Sequence, residues 1–246
     1  MDTLVLATQY MFWVGFVGMA AGTLYFLVER DSLPEKYRST ATVAALVTFV
    51  AAIHYQAMKH YVGTDGSIDT LLTFPTEIRY IDWLVTTPLL LVKFPSLLRL
   101  GKDEGKRLLK NLVLADILMI VSGYVGETSI NNAGAATQIG WVAFLISMLA
   151  WVYILGVLFT EVTESAKAAP KSICEGLLSM RSFIFIGWAI YPIGYFLTLT
   201  SSGGEAAQIT IVLRELIYNI ADLINKVGFG LVAVLAVKAA SNAKEI

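Results

Sequence analysis

Seven long apolar stretches run along the chain, at roughly 4–28, 40–60, 77–97, 109–126, 136–160, 177–200 and 208–238. Each approaches or exceeds the ~20 apolar residues that a helix needs to span a hydrocarbon core about 30 Å thick. Turn formers and charges interrupt the pattern at Asp31-Ser32-Leu33-Pro34, at Gly63-Thr64-Asp65-Gly66, from Gly101 to Gly105, from Asn131 to Gly134, at Ala169-Pro170 and from Ser201 to Gly204. The pattern predicts an all-α fold, a bundle of seven membrane-spanning helices. It shows no repeat, no low-complexity tract and no appended soluble domain, so residues 1–246 read as one domain. The first stretch does not read as a cleavable leader, because no basic segment precedes it and it is too long.

Composition agrees with this reading. Of 246 residues, 57% are hydrophobic and 15% charged, with a mean hydropathy of +0.68. An ordinary soluble domain is about 45–50% apolar and about 25% charged. A soluble enzyme and a disordered chain are excluded, and a net charge of -1 offers no basic surface to nucleic acid. Cys174 is the only cysteine, so neither an intrachain disulfide nor a cysteine metal cluster is expected. The sequence carries no hydrolytic site, phosphate loop or metal motif. Charge also orients the bundle. Thirteen of the eighteen Lys and Arg fall in the first, third and fifth connections and the tail, against three (Lys59, Arg79 and Arg214) on the opposite side. Basic residues stay on the cytoplasmic face, which puts the N-terminus outside and the C-terminus in the cytoplasm of a multi-pass cell-membrane protein.

Six ionisable residues lie at membrane depth: His54, Asp82, Lys93, Asp116, Asp222 and Lys226. Each charge there costs about 2.5–3.5 kcal/mol on insertion scales, which makes each a functional candidate; the bland alternative is a polar pair buried between helices. Asp82 and Lys93 are 11 residues apart. That separation turns a helix through about 1100°, so they share one face, about 16 Å apart along the axis. Asp222 and Lys226 stand at i and i+4, one turn apart on the last helix. The last helix runs inward, so carboxylates flank Lys226 toward the outside and Lys93 lies toward the inside. The set forms a vectorial line of proton sites. His54 falls at the depth of Asp82 on the preceding helix. It reads either as a satisfied interior histidine or as a group that tunes Asp82's hold on a proton.

Lys226 is the sharpest feature. Desolvated lysines form Schiff bases with carbonyl compounds, and a protonated Schiff base needs an anion, which Asp222 offers one turn away. Trp188, Tyr191 and Pro192 share one face of the sixth helix, and Trp83 follows Asp82. Such stripes are often packing alone. Beside a reactive lysine, a flat aromatic slot suits a long conjugated aldehyde. Gly123 leaves room on the fourth helix, and Pro192 can kink the sixth.

These residues carry a resemblance. The run Arg79-Tyr80-Ile81-Asp82-Trp83-Leu84-Val85-Thr86-Thr87-Pro88-Leu89-Leu90 resembles helix C of the microbial (type 1) rhodopsins. Trp188-Ala189-Ile190-Tyr191-Pro192 resembles their helix F, and Asp222-Leu223-Ile224-Asn225-Lys226-Val227-Gly228-Phe229-Gly230 their helix G. Within that family the chain is similar to proteorhodopsin-like proton pumps, and its helix C lysine resembles the subgroup typified by Exiguobacterium rhodopsin. The resemblance implies that Lys226 carries all-trans-retinal as a protonated Schiff base. It implies Asp82 as primary counterion and proton acceptor, paired with His54, Asp222 as second counterion, and Arg79 as organiser of the outer half-channel. Trp83, Thr87, Leu90, Met119, Gly123, Trp188, Tyr191 and Pro192 would line the retinal, with Phe144 and Ser147 on helix E as weaker carry-overs. Leucine at position 90 implies green absorption. Phe144 stands where antenna-binding relatives carry glycine, so a carotenoid partner is not expected. Similar proteins form trimers to hexamers, which implies a homo-oligomer in the lipid bilayer. No proton-release group is identified; Glu215 fits that role poorly.

The three-residue functional motif reads Asp82, Thr86, Lys93. Asp82 and Thr86 argue for protons rather than sodium or chloride. Lys93 departs from the usual carboxylic donor, although the Exiguobacterium-like subgroup shares the change. Lys93 lies among Leu89, Leu90, Val92 and Phe94, and burial disfavours a charged amine. Lys93 is therefore expected to rest neutral, take a proton from the inside and pass it on; the alternative is a lysine that merely snorkels to the interface. The expected function is a light-driven outward proton pump rather than an enzyme. A photosensor working through a transducer, a channel and a seven-helix receptor without retinal are the rivals.

Overall fold

The computed structural model describes residues 1–129, 137–200 and 204–246. Among them, seven long helices follow one another: α1 (Asp2–Arg30), α2 (Glu35–Val62), α3 (Thr76–Leu98), α4 (Lys102–Thr128), α5 (Gln138–Ala166), α6 (Lys171–Thr200) and α7 (Gly204–Asn242). All seven are long and apolar enough to cross a membrane. A short helix, Asp69–Leu72, lies between α2 and α3, and the described residues include no strand.

The helices outrun the apolar stretches. The apolar run of α4 starts at 109, but the helix starts at Lys102 with Gly101 as its N-cap. The break expected from Gly101 to Gly105 is therefore corrected: only Gly101 stands outside α4. The hydrocarbon ends where charges begin, whereas backbone hydrogen bonding continues into water, helped by Asp103 and Glu104 in the first turn. α5 and α6 extend beyond 160 and before 177 in the same way, with Pro170 capping α6. The breaks at Asp31 to Pro34 and Gly63 to Gly66 separate helices; Gly63 ends α2 with φ 69°, a conformation that favours glycine. The break from Asn131 to Gly134 lies outside the described residues. Of the break from Ser201 to Gly204 only Gly204 is described, as the first residue of α7.

Neighbours in sequence pack as neighbours in space, and α7 closes the ring against α1 and α6. The bundle encloses a charged centre within an apolar core and turns apolar side chains outward as well. Leu24, Val28, Ile139 and Leu149 are 61–77% exposed, while Asp82, Asp116 and Asp222 are sealed in the interior. In water such a surface would be an aggregation hazard; in hydrocarbon it is solvated.

Three helices carry a widened π turn: Leu158–Val162 in α5, Phe183–Gly187 in α6 and Ile224–Gly228 in α7. Such turns are rare and gather at functional sites. The α7 turn contains Lys226, and the α6 turn packs against it.

Candidate functional site: a buried amine between two carboxylates

α3 and α7 bring the central group together. Lys226 Nζ donates to Asp82 Oδ2 at 2.8 Å and lies 3.1 Å from Asp222 Oδ1. Asp222 reaches Lys226 along its own helix, one turn away, whereas Asp82 crosses from α3. The two carboxylates are held differently. Asp222 Oδ1 accepts from the Trp83 indole at 3.0 Å and the Tyr191 hydroxyl at 2.8 Å. Its Oδ2 accepts from the Tyr55 hydroxyl at 2.9 Å and faces Arg79 at 3.5 Å. Asp82 Oδ1 has no hydrogen-bond partner among the described residues. The anion of Asp222 is thus fixed by donors, and that of Asp82 is held mainly by Lys226.

An alternating chain of charges leads outward. Arg79 donates to Glu215 at 2.8 Å and to Asn219 at 3.0 Å. Glu215 accepts from Arg214 at 2.8 Å, and Arg214 reaches Glu127 at 3.0 Å. Glu127 also accepts from Tyr80 at 2.8 Å and Thr76 at 2.9 Å. Glu215 therefore sits between two guanidinium groups.

The other expected residues fall around this centre. His54 Nδ1 lies 3.4 Å from Asp82 Oδ1 and 2.9 Å from the Val50 carbonyl one turn back in α2. The histidine is adjacent to the acceptor but shares its nitrogen with its own backbone. Thr86 donates to the Asp82 carbonyl at 2.8 Å, so its hydroxyl holds the helix rather than the carboxylate. Lys93 does not snorkel. It is 1% exposed, its Nζ has no hydrogen-bond partner among the described residues, and it lies 5.1 Å from the centroid of the Phe229 ring. Asp116 is buried behind the Thr87 hydroxyl, which donates to it at 2.8 Å.

A slot with about 730 Å³ of empty space, part of it open to the surroundings, has Lys226 and Asp222 in its wall. Trp83, Thr87 and Leu90 come from α3, Met119 and Gly123 from α4, Phe144 and Ser147 from α5, and Trp188, Tyr191 and Pro192 from α6. Every residue expected to line a retinal thus lines this one slot. Trp83 and Tyr191 meet edge to face, 4.8 Å between ring centroids.

The profile of the bacteriorhodopsin-like protein family matches residues 6–240. The chain belongs to the bacteriorhodopsin-like family. A green-light absorbing proteorhodopsin of Gamma-proteobacterium EBAC31A08 is 38% identical over 240 residues, covering 96% of this chain and 89% of the relative. The crystal structure of Exiguobacterium sibiricum rhodopsin is 63% identical and covers 97% of this chain and 99% of that one, with a TM-score of 0.86. The structure of xanthorhodopsin, described as a light-driven ion pump with dual chromophore, is 29% identical over 99% of this chain and 97% of that one, also with a TM-score of 0.86. This rhodopsin is therefore a multi-pass membrane protein of the microbial rhodopsin type.

Sequence reasoning missed several residues of the site. Tyr55, Asn219 and Glu127 join the ion chain, and Tyr80, Ile120, Met148, Trp151, Tyr195, Tyr218 and Asn225 join the slot wall. Asn219 and Asn225 carried a signal, as amides one turn before Asp222 and next to Lys226 in an apolar helix. The tyrosines and Trp151 carried none, because aromatic residues in a span look the same whether they pack or bind.

Proposed function

We propose that this rhodopsin is a light-driven outward proton pump that binds all-trans-retinal on Lys226. One observation carries the reading: the Lys226 amine stands in the wall of an apolar, aromatic slot, clamped between Asp82 and Asp222. The residues present fit the group. An amine provides the attachment point, carboxylates balance a positive nitrogen, and the walls offer aromatic faces but few polar groups to a polyene. Joined to Lys226, the retinal would supply light absorption, a change of shape and an N–H whose proton can be given away.

Asp82 is the acceptor. It is the carboxylate 2.8 Å from Nζ, and its second oxygen accepts no hydrogen bond among the described residues and faces His54 Nδ1 at 3.4 Å. Asp222, fixed by Trp83, Tyr191, Tyr55 and Arg79, remains the standing anion. His54, 3.4 Å away, adjusts how firmly Asp82 keeps the proton. Arg79 leads the exit side toward Glu215 and Arg214. Lys93 serves the return path from the inside. Its sealed Nζ, with no hydrogen-bond partner among the described residues, takes a proton arriving from the inside and passes it on.

The basic loops support an N-terminus outside and a C-terminus in the cytoplasm of the cell membrane, and the resemblance to microbial rhodopsins implies a homo-oligomer. Lys93→Ala is expected to slow recovery of the visible band after a flash by at least about tenfold, a floor set below the about 100-fold to 10,000-fold that a positioned acid or base contributes. Flash spectroscopy checks this, and an unchanged recovery would remove Lys93 from the path. In proteoliposomes, light should move protons against an opposing pH gradient. Flow that only runs downhill would mark a channel.

A further inference from the structure

α6 changes pitch where it passes the reactive amine. Phe183–Gly187 form a π turn, and Pro192, five residues after Gly187, has no N–H to offer the Trp188 carbonyl. The helix is weakened over these turns, and two side chains from its neighbours hold it. Trp151 of α5 donates its indole N–H to the Ile184 carbonyl at 3.2 Å. Asn225 of α7 donates its amide to the Gly187 carbonyl at 2.9 Å. The amide comes so near that a Cβ on Gly187 would collide with it.

Both holders line the slot around Lys226. The turn they hold reaches the other way as well. The Phe183 ring, at its start, meets the Phe229 ring edge to face, 6.1 Å between centroids. Phe229 lies 5.1 Å from Lys93 Nζ and also packs against Phe94 at 6.0 Å. One side of the turn therefore touches the slot, and the other packs against Phe229, the ring beside Lys93.

We infer that Trp151 and Asn225 are positioning residues that hold the α6 π turn closed over Phe229 and so set how readily a proton from the inside reaches Lys93. Neither residue carries the proton. The inference rests on Lys93 as the relay and adds what governs access to it. A change in the shape of the slot's contents would press on both holders, which gives the occupied slot a mechanical hold on the packing beside Lys93.

Trp151 is the cleaner handle, because Trp151→Phe removes the N–H and keeps a ring, whereas Asn225 also contacts the Tyr191 hydroxyl at 3.3 Å. The test compares the full chain with retinal in four forms: unsubstituted, Trp151→Phe, Lys93→Ala and the double variant. After a flash, Trp151→Phe is expected to recover the visible band at least about threefold faster, while in the Lys93→Ala background the same substitution changes recovery by less than about 1.5-fold. An unchanged or slower recovery in Trp151→Phe overturns the inference. So does equal acceleration in both backgrounds, which is what a general loosening would produce. If Lys93→Ala alone fails to slow recovery, the relay itself has failed, and that comparison reads it separately. Should Trp151→Phe not form pigment, Phe183→Leu, which thins that packing from outside the slot, is expected to show the same dependence on Lys93.

Discussion

Lys226→Ala yields a colourless protein when all-trans-retinal is supplied. The slot wall contains one amine, Lys226. Of the other buried lysines, Lys93 lies beside the Phe229 ring and Lys59 over the Trp13 ring, and neither lines the slot, so neither offers a second attachment point. The substitution also leaves Asp82 and Asp222 facing each other without their shared cation. Removing one partner of a buried ion group costs about 3–5 kcal/mol, partly offset when a carboxylate takes up a proton. A double variant, Lys226→Ala with Asp82→Asn, relieves that repulsion and keeps the test independent of folding. The visible spectrum of the purified protein is the readout. A visible band in either variant would mean that the aldehyde attaches elsewhere.

Asp82→Asn leaves a pigment that absorbs further to the red and no longer transports protons. A carboxylate 2.8 Å from Nζ stabilises positive charge at the nitrogen most strongly when the charge is localised there. Asparagine keeps the shape and removes that stabilisation, which narrows the gap to the excited state. The pigment should still form, because Asp222 keeps its own donors in Trp83, Tyr191 and Tyr55. Transport stops because the acceptor is gone and the other carboxylate is already saturated with donors. Persistent pumping by Asp82→Asn would show that Asp82 is not the sole acceptor.

Those two residues were legible in the sequence for a physical reason. A charge in a long apolar run is costly, so Asp82, Lys93, Asp222 and Lys226 stood out before any contact was known. Trp83, Thr87, Leu90, Trp188, Tyr191 and Pro192 were legible through their motif runs, whereas Met119, Gly123, Phe144 and Ser147 came only with the family resemblance; the fold brings all ten to one slot. What could not be read depends on pairs far apart in sequence. Glu127 joins Arg214 from another helix, Tyr55 reaches Asp222, and Trp151 reaches the Ile184 carbonyl. Hydropathy treats each of these as one more residue near a span. The ends of α4 and α6 were hidden for a different reason. Hydropathy reports where hydrocarbon stops, and the Lys102 and Lys171 turns continue past that point as helix. The π turns leave no mark in composition at all.

Light is expected to drive protons outward through this protein. The most direct measurement is the pH of an unbuffered suspension of cells that make the protein with all-trans-retinal, recorded through cycles of light and dark with and without a protonophore. The medium is expected to acidify in the light and the signal to vanish with the protonophore. A coloured protein that leaves the pH unchanged, or that makes the medium alkaline, would contradict it.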